Sequence, residues 1–316
     1  YDVKAKSKVS DKPVGTGPYQ IDNYKRSQKL ELSKFKDYWQ GKPKLKKINV
    51  TYHEDGNTRV DNLLSGKSDL TTDVPIDRIN DVKNSKKAEI QSTSGFRTHL
   101  LLYNHESKKM NKNIRKAFDM IINRKEIAKD VSKNYAKPAS GPFNHRLKTV
   151  ENGKVQNQDI KKAKKLLEQE GYTKSHPLKI NMVTYDGRPE LPKIGQVIQS
   201  EAKKANIDIQ LRNVDDIDGY LKDTKAWDVS MYSYLTVPRG DTGYFFNTAY
   251  LPNGALNKGH YNNKEVTQLI NKLNTTFGEK QRASVTNDIL EKSKDDIPNS
   301  YITYNSQIDG VSNKVQ

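Results

Sequence analysis

Between Ser233 and Phe246 the chain reads SYLTVPRGDTGYFF, a stretch that gathers groups suited to holding a small anion. Arg239 offers a planar fork of N–H donors that matches a carboxylate. Asp241 lies two residues on, and Tyr234, Tyr244, Phe245 and Phe246 supply aromatic walls. One charged fork among aromatic surfaces suits a small ligand bearing a carboxylate. A second reading stands beside it, in which Arg239 pairs with Asp241 or another nearby acid and does nothing more. Arg239-Gly240-Asp241 also spells a cell-adhesion signal. That use needs an exposed, flexible tip, whereas apolar residues flank this tripeptide on both sides.

Other chemistry finds less support. Ser65–Ser68 reads SGKS, like the tail of a phosphate-binding loop, but position 61 is Asp where the first glycine belongs, and the helix precedes the glycine instead of following it. There is no G-x-S-x-G nucleophile elbow. The six histidines (His53, His99, His105, His145, His176 and His260) are scattered, and none stands in H-E-x-x-H. With no cysteine, a zinc site made by protein alone would need distant His and carboxylate ligands. His260, in the polar loop NKGHYNN, is the most available metal ligand. The absence of cysteine also excludes disulfides and thiolate chemistry.

Composition narrows the class. The 316 residues are 33% hydrophobic and 29% charged, and no apolar run nears the roughly 18–20 residues that span a bilayer. The chain opens at YDVKAKSKVS with no initiator Met and no apolar leader, which predicts that a targeting segment has been removed or that the chain is a section of a longer one. Its 55 Lys and Arg against 38 Asp and Glu give a net charge of +17. The basic residues form short clusters, as in Lys42–Lys47 and Lys161–Lys165, broken by nearby acids and not interleaved with aromatics. That pattern favours a solvated lysine-rich surface, with nucleic-acid binding as the remote alternative.

The elements that must position these groups can be read from periodicity. Tyr19–Ile21 and Leu30–Lys34 predict strands, as does Ile48–His53, and Asn57 is placed to cap a short helix closed by Gly66. With the strand SDLTTDV behind it, this reads as a βαβ unit. HLLLYN (His99–Asn104) predicts a strand buried on both faces, and Asn113–Val131 a helix with Ile114, Ala117, Phe118, Ile121 and Ile122 inward. From Asn157 to Tyr234 the order is a helix capped by Asn157, the strand LKINMVTY, a helix over Glu190–Ala205, the strand IDIQLR, a short helix over Asp216–Leu221 and the strand WDVSMYSY. Two helices, Lys264–Leu273 and Glu279–Lys292, lead to a last strand, IPNSYITY. The architecture predicted is α/β in two lobes, with the break near Ser92–Phe96. The arginine loop then lies at the carboxyl end of a strand, where open α/β sheets bind ligands.

Several segments together resemble one family. VGTGPYQI (Val14–Ile21) followed by FKDYWQGKPKLKKI (Phe35–Ile48) is similar to the signature of the peptide- and nickel-binding solute receptors of ABC importers. The resemblance continues through LLLYN and NIRKAFDMIINRKEI, through IQSEAKKANIDIQLRNVDDIDGYL, and through WDVSMYSYLTVPRGD, whose counterpart borders the family's ligand cleft. It departs at Asn206, where relatives carry Gly, and at Gly240-Asp241-Thr242, where relatives commonly carry Asp-Pro. Family members are also longer, so the chain is similar to their C-terminal section.

This resemblance implies a two-lobed periplasmic-binding-protein-like fold with parallel-rich sheets, flanking helices and a hinge. Residues 1–95 would form part of lobe one, 96–300 lobe two, and 301–316 the return into lobe one. It implies a binding protein and not an enzyme, with no catalytic cofactor and a cleft lined by Arg239, Tyr234, Asp241, Tyr244, Asn104 and Arg97. The cargo implied is nickel(II) held by a small organic chelator such as histidine, with His260 on the metal, or alternatively a short peptide. The partner implied is the membrane permease of an ABC importer. A monomer is expected, outside the cytoplasm and lipid-anchored to the outer face of the membrane.

Overall fold

The computed structural model describes residues 14–151 and 153–315. They fall into two compact units. The first comprises residues 14–74, Asn80–Glu89 and residues 310–315; the second comprises Pro75–Ile79 and Ile90–Asp309.

In the first unit β1 (Tyr19–Lys25), β2 (Lys29–Lys34) and β3 (Lys47–Thr51) form an antiparallel meander in that order. Its register places Ile21 opposite Leu32 and Leu32 opposite Ile48. Helix α1 (Gly56–Ser65) is capped by Asp55, not Asn57: the Asp55 carboxylate accepts from the backbone N–H groups of Asn57 and Thr58. A carboxylate is the stronger acceptor at a helix N-terminus, so the cap sits two residues earlier than predicted. Gly66, at φ +80°, closes α1. The short β4 (Leu70–Thr71) pairs antiparallel with Gly310 and Val311 of the last strand, and not with β3. The βαβ unit expected here is therefore absent among the described residues, because β4 joins a different sheet from β3.

Helix α2 (Ile79–Asn84) precedes β5 (Ala88–Tyr103), which runs unbroken through Ser92–Phe96. Gly95 lets β5 approach its neighbour closely, since a Cβ there would lie 2.9 Å from the Asn305 carbonyl oxygen. Helix α3 (Lys112–Ile121) follows, with Asn111 as its cap and Ile114, Ala117, Phe118 and Ile121 buried as predicted. A short turn of helix, α4 (Arg124–Glu126), leads to β6 (Ala136–Pro138). Then come α5 (Ile160–Gln169), β7 (Leu178–Thr184), α6 (Glu190–Lys204), β8 (Ile207–Asn213), α7 (Ile217–Tyr220) and β9 (Val229–Leu235). The cap of α5 is Asp159 where Asn157 was expected, again a carboxylate over an amide. The chain ends with α8 (Thr242–Ala249), α9 (Lys264–Asn274), α10 (Glu279–Lys294) and β10 (Asn299–Ser312).

Strands of the second unit lie in the order β10-β5-β9-β7-β8, with β6 on β10. β7 is parallel to both β8 and β9, as the helical crossovers require, whereas β5 is antiparallel to β9. The sheet is mixed, and it is covered on both faces. One face carries Leu101, Tyr103, Val229, Met231, Ile180 and Met182 in a single buried cluster with α3, α5 and α6. The other carries Leu100, Leu102, Tyr232 and Tyr234 with α8, α9 and α10. Burial on both sides explains why HLLLYN reads as a continuous apolar run. At the end of α6, Asn206 takes φ +63°, the left-handed conformation that Asn tolerates in place of Gly.

Candidate functional site

β9 carries the chain to the carboxyl edge of the second unit's sheet. There Thr236 closes on β5, its backbone N–H donating to the Phe96 carbonyl at 3.0 Å and its hydroxyl at 3.1 Å. Val237 to Gly240 form a turn, with the Gly240 N–H donating to the Val237 carbonyl at 3.1 Å. Gly240 adopts φ +76°, where a side chain would be strained. Arg239 sits at the tip of this turn, exposed, and among the described residues its side chain makes no hydrogen bond or ion pair. The pairing with Asp241 weighed from the sequence does not form. Asp241 instead caps α8 through the Gly243 N–H at 3.1 Å and pairs with Arg282 at 2.6 Å.

The remaining candidates divide by burial. Tyr244 stands 43% exposed on α8, while Tyr234 is buried and its hydroxyl donates to the Leu256 carbonyl. Burial raises the Tyr234 phenol well above its ordinary value, so it stays a neutral donor. Asn104 is fully buried and its amide is used inside the protein. It donates to the Thr224 and Trp227 carbonyls at 2.6 and 2.9 Å, and its oxygen accepts from the Glu106 N–H. His260 takes φ +59° in a loop held against the end of β5, where the His105 N–H donates to the Gly259 carbonyl at 2.8 Å. Its imidazole is half exposed, with Nδ1 3.6 Å from Glu106. Among the described residues no group of three or more His, Cys, Asp or Glu could hold a metal ion by itself. A metal bound here would have to bring most of its own donors.

Arg97, on β5, belongs to a cluster that sequence reasoning did not assemble. The antiparallel register sets His99 opposite Ser233. The Arg97 guanidinium donates to the Ser233 hydroxyl oxygen at 3.3 Å, and Ser233 lies 3.0 Å from His99 Nδ1. His99 Nε2 is 2.8 Å from Glu190, in the first turn of α6. His99 is fully buried. Burial is the largest influence on the Glu190 carboxyl and would raise it, but the hydrogen bond and charge of His99, the Glu190 backbone N–H and the charge of Arg188 together hold the group below its ordinary value. Across the sheet Tyr232 donates to Asp218 at 2.6 Å and its ring packs 5.0 Å from Tyr234. The Tyr185 phenol, 5.8 Å from Tyr232 ring to ring, is pushed up to about 12 by burial. The signal for this cluster was the alternation Arg97-x-His99 in a strand whose next residues are apolar, but its partners lie on β9 and α6, far along the chain.

The tryptophan–aspartate pair that opens β9 proves to be scaffolding. Asp228 is buried and accepts from the Ser107 hydroxyl at 2.6 Å, the Asn181 N–H at 2.8 Å and Lys109 at 3.2 Å. It thereby ties the end of β5 to β7 and β9.

A mixed sheet with helices on both faces is an arrangement this protein shares with solved solute-binding proteins. The chain matches the model of the bacterial extracellular solute-binding proteins, family 5, over residues 2–257, and it belongs to that family. It is 58% identical over 316 residues to the nickel-binding protein NikA of Staphylococcus aureus, covering all of this chain and 64% of NikA. A crystal structure of S. aureus NikA in complex with Ni(L-His)2 superposes with a TM-score of 0.85 at 57% identity, covering 100% of this chain and 68% of that one. The dipeptide-binding protein DppE of Bacillus subtilis is 28% identical over 322 residues, covering 96% of this chain and 58% of DppE. The chain thus spans between just over half and just under two thirds of the length of the curated relatives it matches, and those relatives are binding proteins.

Proposed function

We propose that this protein is the solute receptor of an ABC importer and that it captures nickel(II) already chelated by a small organic acid or amino acid such as histidine. The observation that carries the reading is the 58% identity to a nickel-binding protein along the entire chain. The unpaired Arg239 at the carboxyl edge of the sheet supports it. Arg239 and Arg97 receive the chelator's carboxylates, Tyr244 supplies an aromatic wall, and His260 approaches the metal. Tyr234, Asp241 and Asn104 act from within, shaping the turn and the strand ends. The lobe limits proposed, 1–95, 96–300 and 301–316, fall within about ten residues of the unit boundaries at Glu89/Ile90 and Asp309/Gly310, with Pro75–Ile79 standing apart. The protein works as a monomer, lipid-anchored outside the cytoplasm, and delivers its cargo to a membrane permease. Among the described residues no helix is long and apolar enough to cross a membrane.

A dipeptide or oligopeptide cargo is the second reading, favoured by the 28% identity to DppE. Thermal unfolding of the whole protein separates the two. It is run with nickel alone, histidine alone, both together, and a mixed peptide pool. A ligand at about a hundred times its dissociation constant adds roughly 2.7 kcal/mol of stability. A rise in Tm only with nickel plus histidine is the expected result. A rise only with peptides would replace the nickel reading by the peptide one.

A further inference from the structure

The Arg97–Ser233–His99–Glu190 chain is continuous. Arg97 can only donate, so the Ser233 oxygen accepts from it at 3.3 Å. The Ser233 hydroxyl is hydrogen-bonded to His99 Nδ1, 3.0 Å away. The Glu190 carboxylate accepts from His99 Nε2 at 2.8 Å. The contacts run from β5 to β9 and back through β5 to the first turn of α6. Both ends of the imidazole are engaged and the ring is fully buried, so it has one orientation.

We propose that His99 is a positioning residue for solute binding, acting through Ser233 to fix the plane of the Arg97 guanidinium at the sheet's carboxyl edge. The inference rests on the reading of Arg97 as a contact for the solute's carboxylate. A long arginine loses side-chain freedom when it engages a ligand. Anchoring one N–H beforehand removes part of that loss and aims the fork, which is how preorganised sites gain affinity. Glu190 completes the device by holding the far nitrogen of the ring. Such support behind a contact residue is the usual means of holding a charged group to a defined geometry.

The test is a double-mutant cycle on the whole protein, read by calorimetry with nickel(II) plus two equivalents of L-histidine and, in a second arm, with the dipeptide Ala-Ala. Tm is recorded for every variant. Arg97→Ala should weaken binding at least about ten-fold, the step that corresponds to 1.4 kcal/mol. Ser233→Ala and His99→Gln should each weaken it about three- to ten-fold in the native background and have no further effect beside Arg97→Ala. Ser233→Thr keeps the hydroxyl and should restore native affinity. Ser233→Ala removes one oxygen and keeps the test open should His99→Gln fail to fold. Losses that persist undiminished beside Arg97→Ala would overturn the positioning role while leaving Arg97 in the site. Native affinity in Arg97→Ala would instead remove Arg97 from the site, and the proposal with it. Binding of neither probe by the native protein would overturn the functional reading itself.

Discussion

The turn Val237–Gly240 and the cluster around His99 both stand at the carboxyl end of β9, yet they are built on opposite principles. The turn presents Arg239 to solvent with no partner among the described residues. The cluster buries His99 completely and spends both of its nitrogens on protein groups. An exposed, unpaired guanidinium contributes little to folding and is available to a ligand. A buried, bonded imidazole is costly to disturb, because each partner left unsatisfied carries its full desolvation penalty. The difference teaches that a group left free for a ligand and a group spent on the fold can stand close along one strand, and substitutions can separate the two roles.

The largest effect is expected at the scaffold. Asp228→Ala strips three donors of their acceptor, including the backbone N–H of Asn181, and should cost about 3 kcal/mol of stability in denaturant unfolding. An unchanged midpoint would mean that water replaces the carboxylate and that the interior of β9 is softer than its burial implies.

A pH titration sharpens the same contrast. His105, held against the Pro298 carbonyl at 3.1 Å, has its pKa lowered from 6.5 to about 4, first by burial and then by the charge of Arg115. The unfolded chain takes up a proton near 6.5 that the folded protein refuses until about pH 4. The contribution of neutral His105 is therefore whole above pH 6.5 and is lost as pH falls through about 4. The loss is on the order of 1–3 kcal/mol. His105→Gln, which can still donate to Pro298, should flatten the fall of Tm across that window. A slope identical to the native one would place the acid sensitivity elsewhere.

Arg239→Ala should weaken solute binding by about 1.5–3 kcal/mol, the range of a charge-assisted hydrogen bond, while Tm without ligand stays put. A drop in Tm with unchanged binding would invert the comparison. The smallest effect belongs to Tyr234→Phe, which removes one buried hydroxyl donor to Leu256 and should cost about 1 kcal/mol of stability. If that change abolished binding with stability intact, Tyr234 would be a direct ligand contact and not a support for the turn.

Much of this was legible in the chain. The helical spacing of Ile114, Ala117, Phe118 and Ile121 gave α3, although the helix expected to run to Val131 stops at Ile121, where Ile122 turns extended, and the alternation around β7, α6, β8 and β9 gave the parallel part of the sheet. Local rules failed where two neighbours competed. Asp55 and Asp159 took the caps expected of Asn57 and Asn157, because a carboxylate outbids an amide for the helix N-terminus. The βαβ reading of residues 48–74 failed because strand pairing is decided between distant segments: β4 pairs with Gly310 and Val311, which nothing near it in sequence foretells. Asn104, read as a ligand contact, is wholly engaged with backbone groups in the structure.

What the sequence by itself determined is what depends on near neighbours and on composition: the loop at the carboxyl end of β9, the helix faces, the strand buried on both sides, and the motifs that mark the family. What only the tertiary structure decided is which side chains meet. Arg97 and Ser233 are 136 residues apart, and His99 and Glu190 are 91 apart. Asp241 finds Arg282 instead of Arg239 across 41 residues, and Arg239 has no partner among the described residues. Hydrogen bonds and ion pairs act over about 3 Å, so they are set by register and packing, and the separation along the chain carries no record of them.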